Sequence, residues 1–228
     1  MPTEMPYGTW TSPITPDSLV QESIGLGDIL ISDERSYWLE MRPSEDGRYV
    51  LVSKTEENDA VDLTPEPYNV RSRVHEYGGG SFTVAKDSIY FSNFIDQRIY
   101  KMDMAGENIF PISPDNDNTR YADLKIEENL NWLIAVKESH CGGREPENSI
   151  VAIDLDASNF EKTLISGADF FSAPVISPDG EKLAWIQWNH PNMPWDSTEL
   201  WTANINQDKE LTHIVKITGN QGESICQP

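Results

Sequence analysis

Residues 171–218 read FSAPVISPDGEKLAWIQWNHPNMPWDSTELWTANINQDKELTHIVKIT. This stretch contains four short runs rich in β-branched and aromatic residues, near 171–178, 181–188, 198–206 and 211–218, and turn residues bound each run. Ser177-Pro-Asp-Gly180 joins the first two runs, with proline at the second turn position and glycine at the fourth. The stretch therefore predicts four short strands joined by tight turns.

The same unit recurs along the chain. A Leu or Ile followed by Thr or Ser closes each copy, and successive closing pairs lie about 49, 53 and 52 residues apart. The pairs are Leu63-Thr64, Ile112-Ser113, Ile165-Ser166 and Ile217-Thr218. No stretch shows a 3.6-residue apolar period, so we expect little helix. A repeat of this length with this strand content predicts an all-β fold, an incomplete β-propeller of about four four-stranded antiparallel blades.

The repeat sets the expected domain organisation. The blades are predicted near 22–66, 73–115, 120–167 and 171–219, with the start of a fifth at 223–228. We expect Phe91, Ile134, Ile153 and Trp185 to lie in blade cores or between blades. A closed ring covers both flanks of every blade, whereas four blades leave two apolar flanks uncovered. The sequence therefore predicts self-association through these flanks.

Composition is that of a folded chain with an acidic surface. Of 228 residues 38% are hydrophobic, and 38 acidic residues against 17 basic ones give a net charge of −21. This charge argues against nucleic-acid and anionic-membrane partners, which need clustered Lys and Arg. Met1–Pro16 has no signal-peptide pattern and no apolar run approaches about 18 residues, so a cytoplasmic location is the default expectation. Cys141 and Cys226 are expected to be reduced thiols.

Several short motifs fail as chemical sites. His75-Glu76 lacks the second histidine of a zinc-protease helix, and Asp115-Asn-Asp-Asn118 lacks the later Gly and Glu of a calcium loop. Gly78-Gly-Gly80 precedes a predicted strand instead of a helix N-terminus, which favours close backbone approach or a bulge over phosphate binding. No G-x-S-x-G elbow is present. We therefore expect no metal, no cofactor and no catalytic residue in this chain.

Two long motifs carry a family resemblance. They are Asn69-Val-Arg-Ser-Arg-Val-His-Glu-Tyr-Gly-Gly-Gly80 and His190-Pro-Asn-Met-Pro-Trp-Asp196, with shorter matches in 7–15, 37–43 and 90–93. Together they resemble the N-terminal propeller of bacterial prolyl-oligopeptidase-family (S9) serine peptidases, the acylaminoacyl- and dipeptidyl-peptidase-like branch. The resemblance implies a propeller, usually of seven blades, followed by an α/β-hydrolase domain with a Ser-Asp-His triad.

The resemblance also implies partners and activity. No position here matches the catalytic motif of the family, so the hydrolase domain is expected outside this chain, the chain is expected to be a truncated propeller, and it is expected to be inactive alone. In such peptidases the propeller covers the active site and restricts entry to short or unfolded peptides. A peptide substrate and the hydrolase domain are therefore the implied partners of the full-length protein. The alternative is a stand-alone propeller that serves as a binding or interaction module.

The first motif supplies candidate substrate contacts. We predict that Arg71, Arg73, His75 and Tyr77 alternate along the first strand of the second blade and point to one face, with Val74 and Glu76 on the other. One of these faces would line the central channel. The alternative is that the arginines and Glu76 pair with each other or with neighbouring blades and hold the ring together.

The second motif supplies the other candidates, His190, Asn192, Met193, Trp195 and Asp196. The segment is too rich in proline for a strand and carries a methionine and a tryptophan that a plain hairpin loop does not need. It is predicted to reach the hydrolase domain or the substrate cleft. The alternative is that Trp195 packs over its own blade, as large aromatics in irregular loops usually do.

Overall fold

The computed structural model describes residues 4–15, 23–156 and 160–228. Residue 22, where the sequence places the start of the first blade, lies outside them. The described residues form sixteen β-strands, one short 3-10 helix (Pro43–Glu45) and no α-helix. None of these residues belongs to a helix that is long and apolar enough to span a bilayer.

The strands form four antiparallel sheets, and within each sheet every strand pairs with the next one along the chain. Blade 1 contains β1 (Gly25–Ser32), β2 (Arg35–Arg42), β3 (Arg48–Thr55) and β4 (Val61–Asp62). Blade 2 contains β5 (Phe82–Val84), β6 (Ile89–Ser92), β7 (Ile99–Met102) and β8 (Phe110–Pro111). Blade 3 contains β9 (Thr119–Glu127), β10 (Trp132–Ser139), β11 (Glu147–Asp154) and β12 (Glu161–Ser166). Blade 4 contains β13 (Phe170–Ile176), β14 (Lys182–Trp188), β15 (Glu199–Ile205) and β16 (Leu211–Thr218). The predicted all-β architecture of four four-stranded blades is confirmed.

The blades pack side by side around a common centre. Their first strands contact one another in sequence, β1 with β5, β5 with β9 and β9 with β13. Three apolar cores fill the spaces between consecutive blades. In β10, Leu133 faces the core shared with blade 2, and Ile134 faces the core shared with blade 4. Because both flanks of an inner blade are covered, its strands are apolar on both faces instead of alternating with polar residues.

The predicted core residues lie in these interior spaces. Phe91, Ile134, Ile153 and Trp185 are all buried, as predicted. The closing pairs of the repeat have a structural role in the first two blades. Thr64 accepts the Leu51 N–H through its hydroxyl oxygen at 2.9 Å, and the Ser113 hydroxyl accepts the Ile99 N–H at 3.0 Å. A buried hydroxyl thus replaces a backbone partner where the fourth strand leaves the sheet.

The two ends of the described propeller differ from its interior. On β1 the side chains of Leu26, Ile29 and Ile31 are exposed, and on β16 those of Ile214 and Ile217 are exposed. In the inner blades, a neighbouring blade buries the apolar side chains on each flank. Among the described residues, the outer flanks of blades 1 and 4 have no neighbouring blade. Self-association through these flanks stays a prediction.

Residues 219–228 contain no strand. The segment lies beside Thr198, the residue before β15. The Thr198 N–H donates to the Glu223 carbonyl at 2.9 Å, and the Ile225 N–H donates to the Thr198 hydroxyl at 2.6 Å. A first strand needs the second strand of its own blade as a hairpin partner. The fifth blade at 223–228 therefore stays a prediction. Cys141 and Cys226 are both free and exposed.

Candidate functional site

Both family motifs lie on the same face of the propeller. Consecutive antiparallel strands run in opposite directions, so the loops between second and third strands emerge on the same face as the connections between blades. We call this the loop face. It consists of 43–47, 63–81, 93–98, 112–118, 140–146, 167–169 and 189–198.

The predicted strand through Arg71–Tyr77 is wrong. Only Val70 forms a β-bridge, with Asn93, and the first strand of blade 2 begins at Phe82. His75 and Glu76 have φ angles of 54° and 66°, in the left-handed region and not in the extended region of a regular strand. The segment is a turn that inserts Val74 into the core between blades 3 and 4 and leaves Tyr77 62% exposed. The predicted alternation of faces therefore does not occur.

The glycine run approaches blade 3 closely, one of the two alternatives predicted for it, and the Asp123 N–H donates to the Gly80 carbonyl at 2.7 Å. A Cβ on Gly79 would lie 2.9 Å from both Ala122 Cβ and Asp123 Oδ1. The Gly80 N–H donates to Asp123 Oδ1 at 2.8 Å, and the Ala173 N–H donates to Asp123 Oδ2 at 2.8 Å. One carboxylate therefore ties together blades 2, 3 and 4 at their inner edges.

A second carboxylate, which is buried, holds the turn itself. The Glu138 side chain is only 4% exposed, and its Oε2 accepts the backbone N–H of His75 at 2.7 Å. Glu138 Oε1 lies 3.1 Å from Arg120 Nη1 and 2.7 Å from His140 Nε2. A carboxylate with several charge-assisted bonds is a strong anchor. Glu138 thus fixes the segment that the sequence alone places in a strand.

Arg120 links this anchor to the exposed part of the turn. Its Nη1 donates to Glu76 Oε1 at 2.7 Å and to the Arg73 carbonyl at 2.8 Å. The hydrogen bond and charge of Arg120 lower the pKa of the Glu76 carboxyl. Glu76 therefore pairs with the neighbouring blade, which agrees with the alternative reading of this residue.

Aromatic side chains join the two motifs. The His75 ring meets the Phe170 ring edge-on at 5.2 Å and the Trp188 ring at 5.7 Å between centroids. Phe170 stacks on Trp188 at 5.3 Å, and His190 meets Phe170 edge-on at 5.0 Å. Burial lowers the pKa of His75, against the opposing effects of Glu138, Asp123 and the Asn148 side chain. The two motifs, 115 residues apart between His75 and His190, thus share one cluster.

The second motif forms a closed loop. Asp196 accepts the Met193 N–H through Oδ2 at 3.0 Å, and the Met193 carbonyl accepts the Asp196 N–H at 2.9 Å. The backbone N–H of Asn192 donates to the Asn189 carbonyl at 3.0 Å. Trp195 is nevertheless 67% exposed, so the alternative that it packs over its own blade is wrong. Trp195 is therefore an exposed side chain on a loop whose backbone is held by internal hydrogen bonds.

A small cleft of about 170 Å³ opens between β1 and the first motif. Its walls include Asp28, Tyr49, Arg71, Tyr77 and the backbone of 78–79. Burial raises the pKa of Asp28, Asp123 adds to this effect, and Lys125 opposes it. The cleft therefore combines aromatic surface with both signs of charge.

The loop face combines exposed aromatic side chains, Tyr77 and Trp195, with exposed groups of both charges. Among residues 4–15, 23–156 and 160–228, no group of three His, Cys, Asp or Glu side chains could hold a metal ion. Sequence patterns missed Arg120, Asp123, Glu138 and Phe170, because each lies in a strand or at a strand end with no motif of its own. Trp188, two residues before His190, carries part of the family resemblance but was not predicted to meet the first motif.

Comparisons with known proteins agree with this description. No family model matches the chain, and no curated protein matches it. A puromycin-hydrolysing peptidase of Mycobacterium tuberculosis of known structure is 34% identical over 96% of this chain, with a TM-score of 0.87. A puromycin hydrolase is 28% identical over 98% of the chain, with a TM-score of 0.89. TolB from Acinetobacter baumannii, at 16% identity and a TM-score of 0.56, shares the fold alone.

The extent of these matches places the chain within its relatives. It spans 36% of the mycobacterial peptidase and 37% of the puromycin hydrolase. Each match covers nearly all of this chain, whose described residues form blades and contain no second kind of domain. These matches agree with the resemblance of the sequence to the N-terminal β-propeller part of prolyl-oligopeptidase-family (S9) serine peptidases.

Proposed function

We propose that this chain is the non-catalytic propeller portion of a peptide-hydrolysing S9 serine peptidase. It acts with an α/β-hydrolase domain of the full-length protein, and its loop face receives the peptide substrate and restricts its entry. The observation that carries this proposal is the meeting of the two family motifs at one aromatic cluster. Structural packing alone does not require Tyr77 and Trp195 to remain exposed beside that cluster.

The candidate residues divide by their surroundings. Tyr77, Met193 and Trp195 offer exposed apolar surface to a peptide. His75, Glu76, Asn192 and Asp196 hold the two motifs in place through the hydrogen bonds and ring contacts described above. His190 stands at the border, since its ring packs on Phe170 while the residue stays exposed. Arg71 and Arg73 supply positive charge on the same face.

The test uses the full-length protein with Trp195→Ala. If Trp195 contacts the peptide, kcat/KM for peptide substrates should fall about tenfold, because an aromatic anchor at a binding surface contributes about 1–2 kcal/mol or more. The melting temperature should change little, since the side chain is largely exposed. Peptide hydrolysis and thermal melts on the same preparations measure both.

Phe160→Ala is the matched control. Phe160 is also an exposed aromatic, but it lies in the loop between β11 and β12 on the opposite face. The control should leave the kinetics unchanged. Equal kinetic losses in both variants, or a large loss of stability with normal kinetics in Trp195→Ala, would remove the loop from the substrate site. A full-length protein that hydrolyses no peptide and encodes no G-x-S-x-G elbow would refute the peptidase proposal itself.

A further inference from the structure

Several arginines on the loop face, or at the strand ends beside it, are paired with carboxylates. Four of them form ion pairs: Arg42 with Glu40, Glu45 and Asp62, Arg48 with Glu45, Arg98 with Asp115, and Arg120 with Glu76 and Glu138. Arg71 and Arg73 form none with any residue that the structure describes. With 38 acidic residues against 17 basic ones, partners are abundant in this chain. Arg71 and Arg73 thus share with Arg144 the lack of a carboxylate partner among the described residues, and unlike Arg144 they lie close to one another on a shared ring.

The two guanidinium groups share one aromatic platform. Arg71 lies 5.1 Å and Arg73 lies 5.8 Å from the centroid of the Phe94 ring, and Arg71 also lies 5.4 Å from the Tyr49 centroid. Both arginines are exposed. Rings hold a guanidinium by its face and leave its N–H edge free for a planar oxyanion. Two cations at one ring repel each other, and an anion between them relieves that repulsion.

The surroundings limit what the anion can be. Arg71 also lines the cleft of about 170 Å³, which is smaller than the pockets of about 300–1,000 Å³ that enclose whole ligands. The cleft fits one terminus or one side chain of a longer ligand. Asp28 also lines the cleft, and Glu76 lies within electrostatic range of Arg73. Both carboxylates repel an anion, so the favoured position is between the two guanidinium groups, away from Asp28 and Glu76.

We propose that Arg71 and Arg73 form a carboxylate-binding site that holds an anionic group of the peptide substrate. The inference rests on the proposed function, because it assigns the ligand to the peptide that the loop face receives. This carboxylate is either the free C-terminus of a short peptide or the side chain of an acidic residue in the peptide. Arginine binds either one through two parallel N–H···O bonds.

The experiment compares matched peptides on the full-length enzyme. One pair differs only in a C-terminal carboxylate or amide, and a second pair differs only in Glu or Gln at one position. In at least one of these pairs, the double variant Arg71→Met with Arg73→Met should lower kcat/KM for the charged peptide about tenfold. The kcat/KM for the neutral peptide of the same pair should change less than about twofold. Added salt should weaken the wild-type preference, because the pair is exposed.

Further variants separate binding from folding. Arg71→Lys with Arg73→Lys keeps the charge but loses the planar fork, so the preference should shrink without vanishing. Arg144→Met is the matched control, because Arg144 is an exposed loop-face arginine that also forms no ion pair with described residues. It should leave the preference intact. If the double Met variant melts early, the two single variants and the Lys variant provide the test.

The outcomes distinguish this inference from the proposed function. A preference confined to the C-terminal pair assigns the terminus, and one confined to the Glu/Gln pair assigns the side chain. Equal kcat/KM for charged and neutral peptides, or equal losses for both in the Met variant, overturns the carboxylate site while leaving the peptidase intact. If the protein hydrolyses no peptide, the proposed function fails, and fluorescence anisotropy with the same labelled peptides tests the arginine pair by affinity.

Discussion

Replacing Glu138 by Gln should destabilise the turn that carries the first family motif. The Glu138 carboxylate is 4% exposed and accepts hydrogen bonds from the His75 backbone and from Arg120, with His140 Nε2 also at bonding distance. A hydrogen bond to a charged group contributes about 1.5–3 kcal/mol, and breaking a buried ion pair costs about 3–5 kcal/mol. The glutamine keeps one acceptor oxygen, and Arg120 and His140 retain partial access to solvent. We therefore expect a loss of about 2–4 kcal/mol in the free energy of unfolding.

The assay combines a global and a local measurement on the full-length protein. For a unit of this size the melting temperature should fall by about 2–4 °C for each kcal/mol lost, so about 5–15 °C in all. Hydrogen exchange followed by mass spectrometry should show faster exchange in 70–80 of the variant than in 70–80 of the wild type, with little change in the strands of blade 1. The local effect follows because Glu138 Oε2 holds the His75 N–H directly.

Glu210→Gln is the control for this prediction. Glu210 forms an ion pair with Lys162 at 2.6 Å, but its side chain is 60% exposed. Surface pairs of this kind contribute about 0–1 kcal/mol, so the control should melt within about 3 °C of the wild type. The reasoning is refuted if Glu138→Gln melts like the control and its 70–80 segment exchanges at the wild-type rate.

Three further results are expected. Asp123→Asn should lower the free energy of unfolding by about 1.5–3 kcal/mol in urea titrations, because the amide can accept only one of the bonds from Gly80 and Ala173; an unchanged midpoint would contradict the inter-blade role. His75 has a native pKa below 6.5, so its neutral form stabilises the fold and this contribution should be lost as pH falls from about 6.5 towards the lower native pKa. His75→Gln should accordingly show a smaller drop in melting temperature than the wild type across that window, and parallel pH curves would argue against it. The 228-residue chain should not be labelled by a serine-directed fluorophosphonate probe, since no nucleophile elbow is present; stoichiometric labelling detected by mass spectrometry would contradict the assignment of catalysis to another domain.

The repeating blade could be predicted from local patterns. Strand alternation and turn tetrapeptides act over fewer than about ten residues. The closing hydroxyls of Thr64 and Ser113 bond to a strand of their own blade, so these interactions too are encoded within one repeat. Ser177-Pro-Asp-Gly180 forms the turn that its residue types favour, with Gly180 at a φ of 74°. The close approach of Gly79 to blade 3 was also predictable in kind, because glycine runs beside strands usually mark such contacts.

The course of residues 71–80 could not be predicted in this way. Their alternation of charged and apolar side chains is typical of a strand, yet a carboxylate 63 residues away, on Glu138, holds His75 in a left-handed turn. The meeting of His75 with Phe170 and Trp188 likewise depends on how blades 3 and 4 lie beside the connection into blade 2. Local sequence specifies each strand and turn, but contacts between blades depend on packing angles that no single blade encodes. The site is therefore complete only once the blades are assembled, because the contacts that join the two motifs cross from one blade to another.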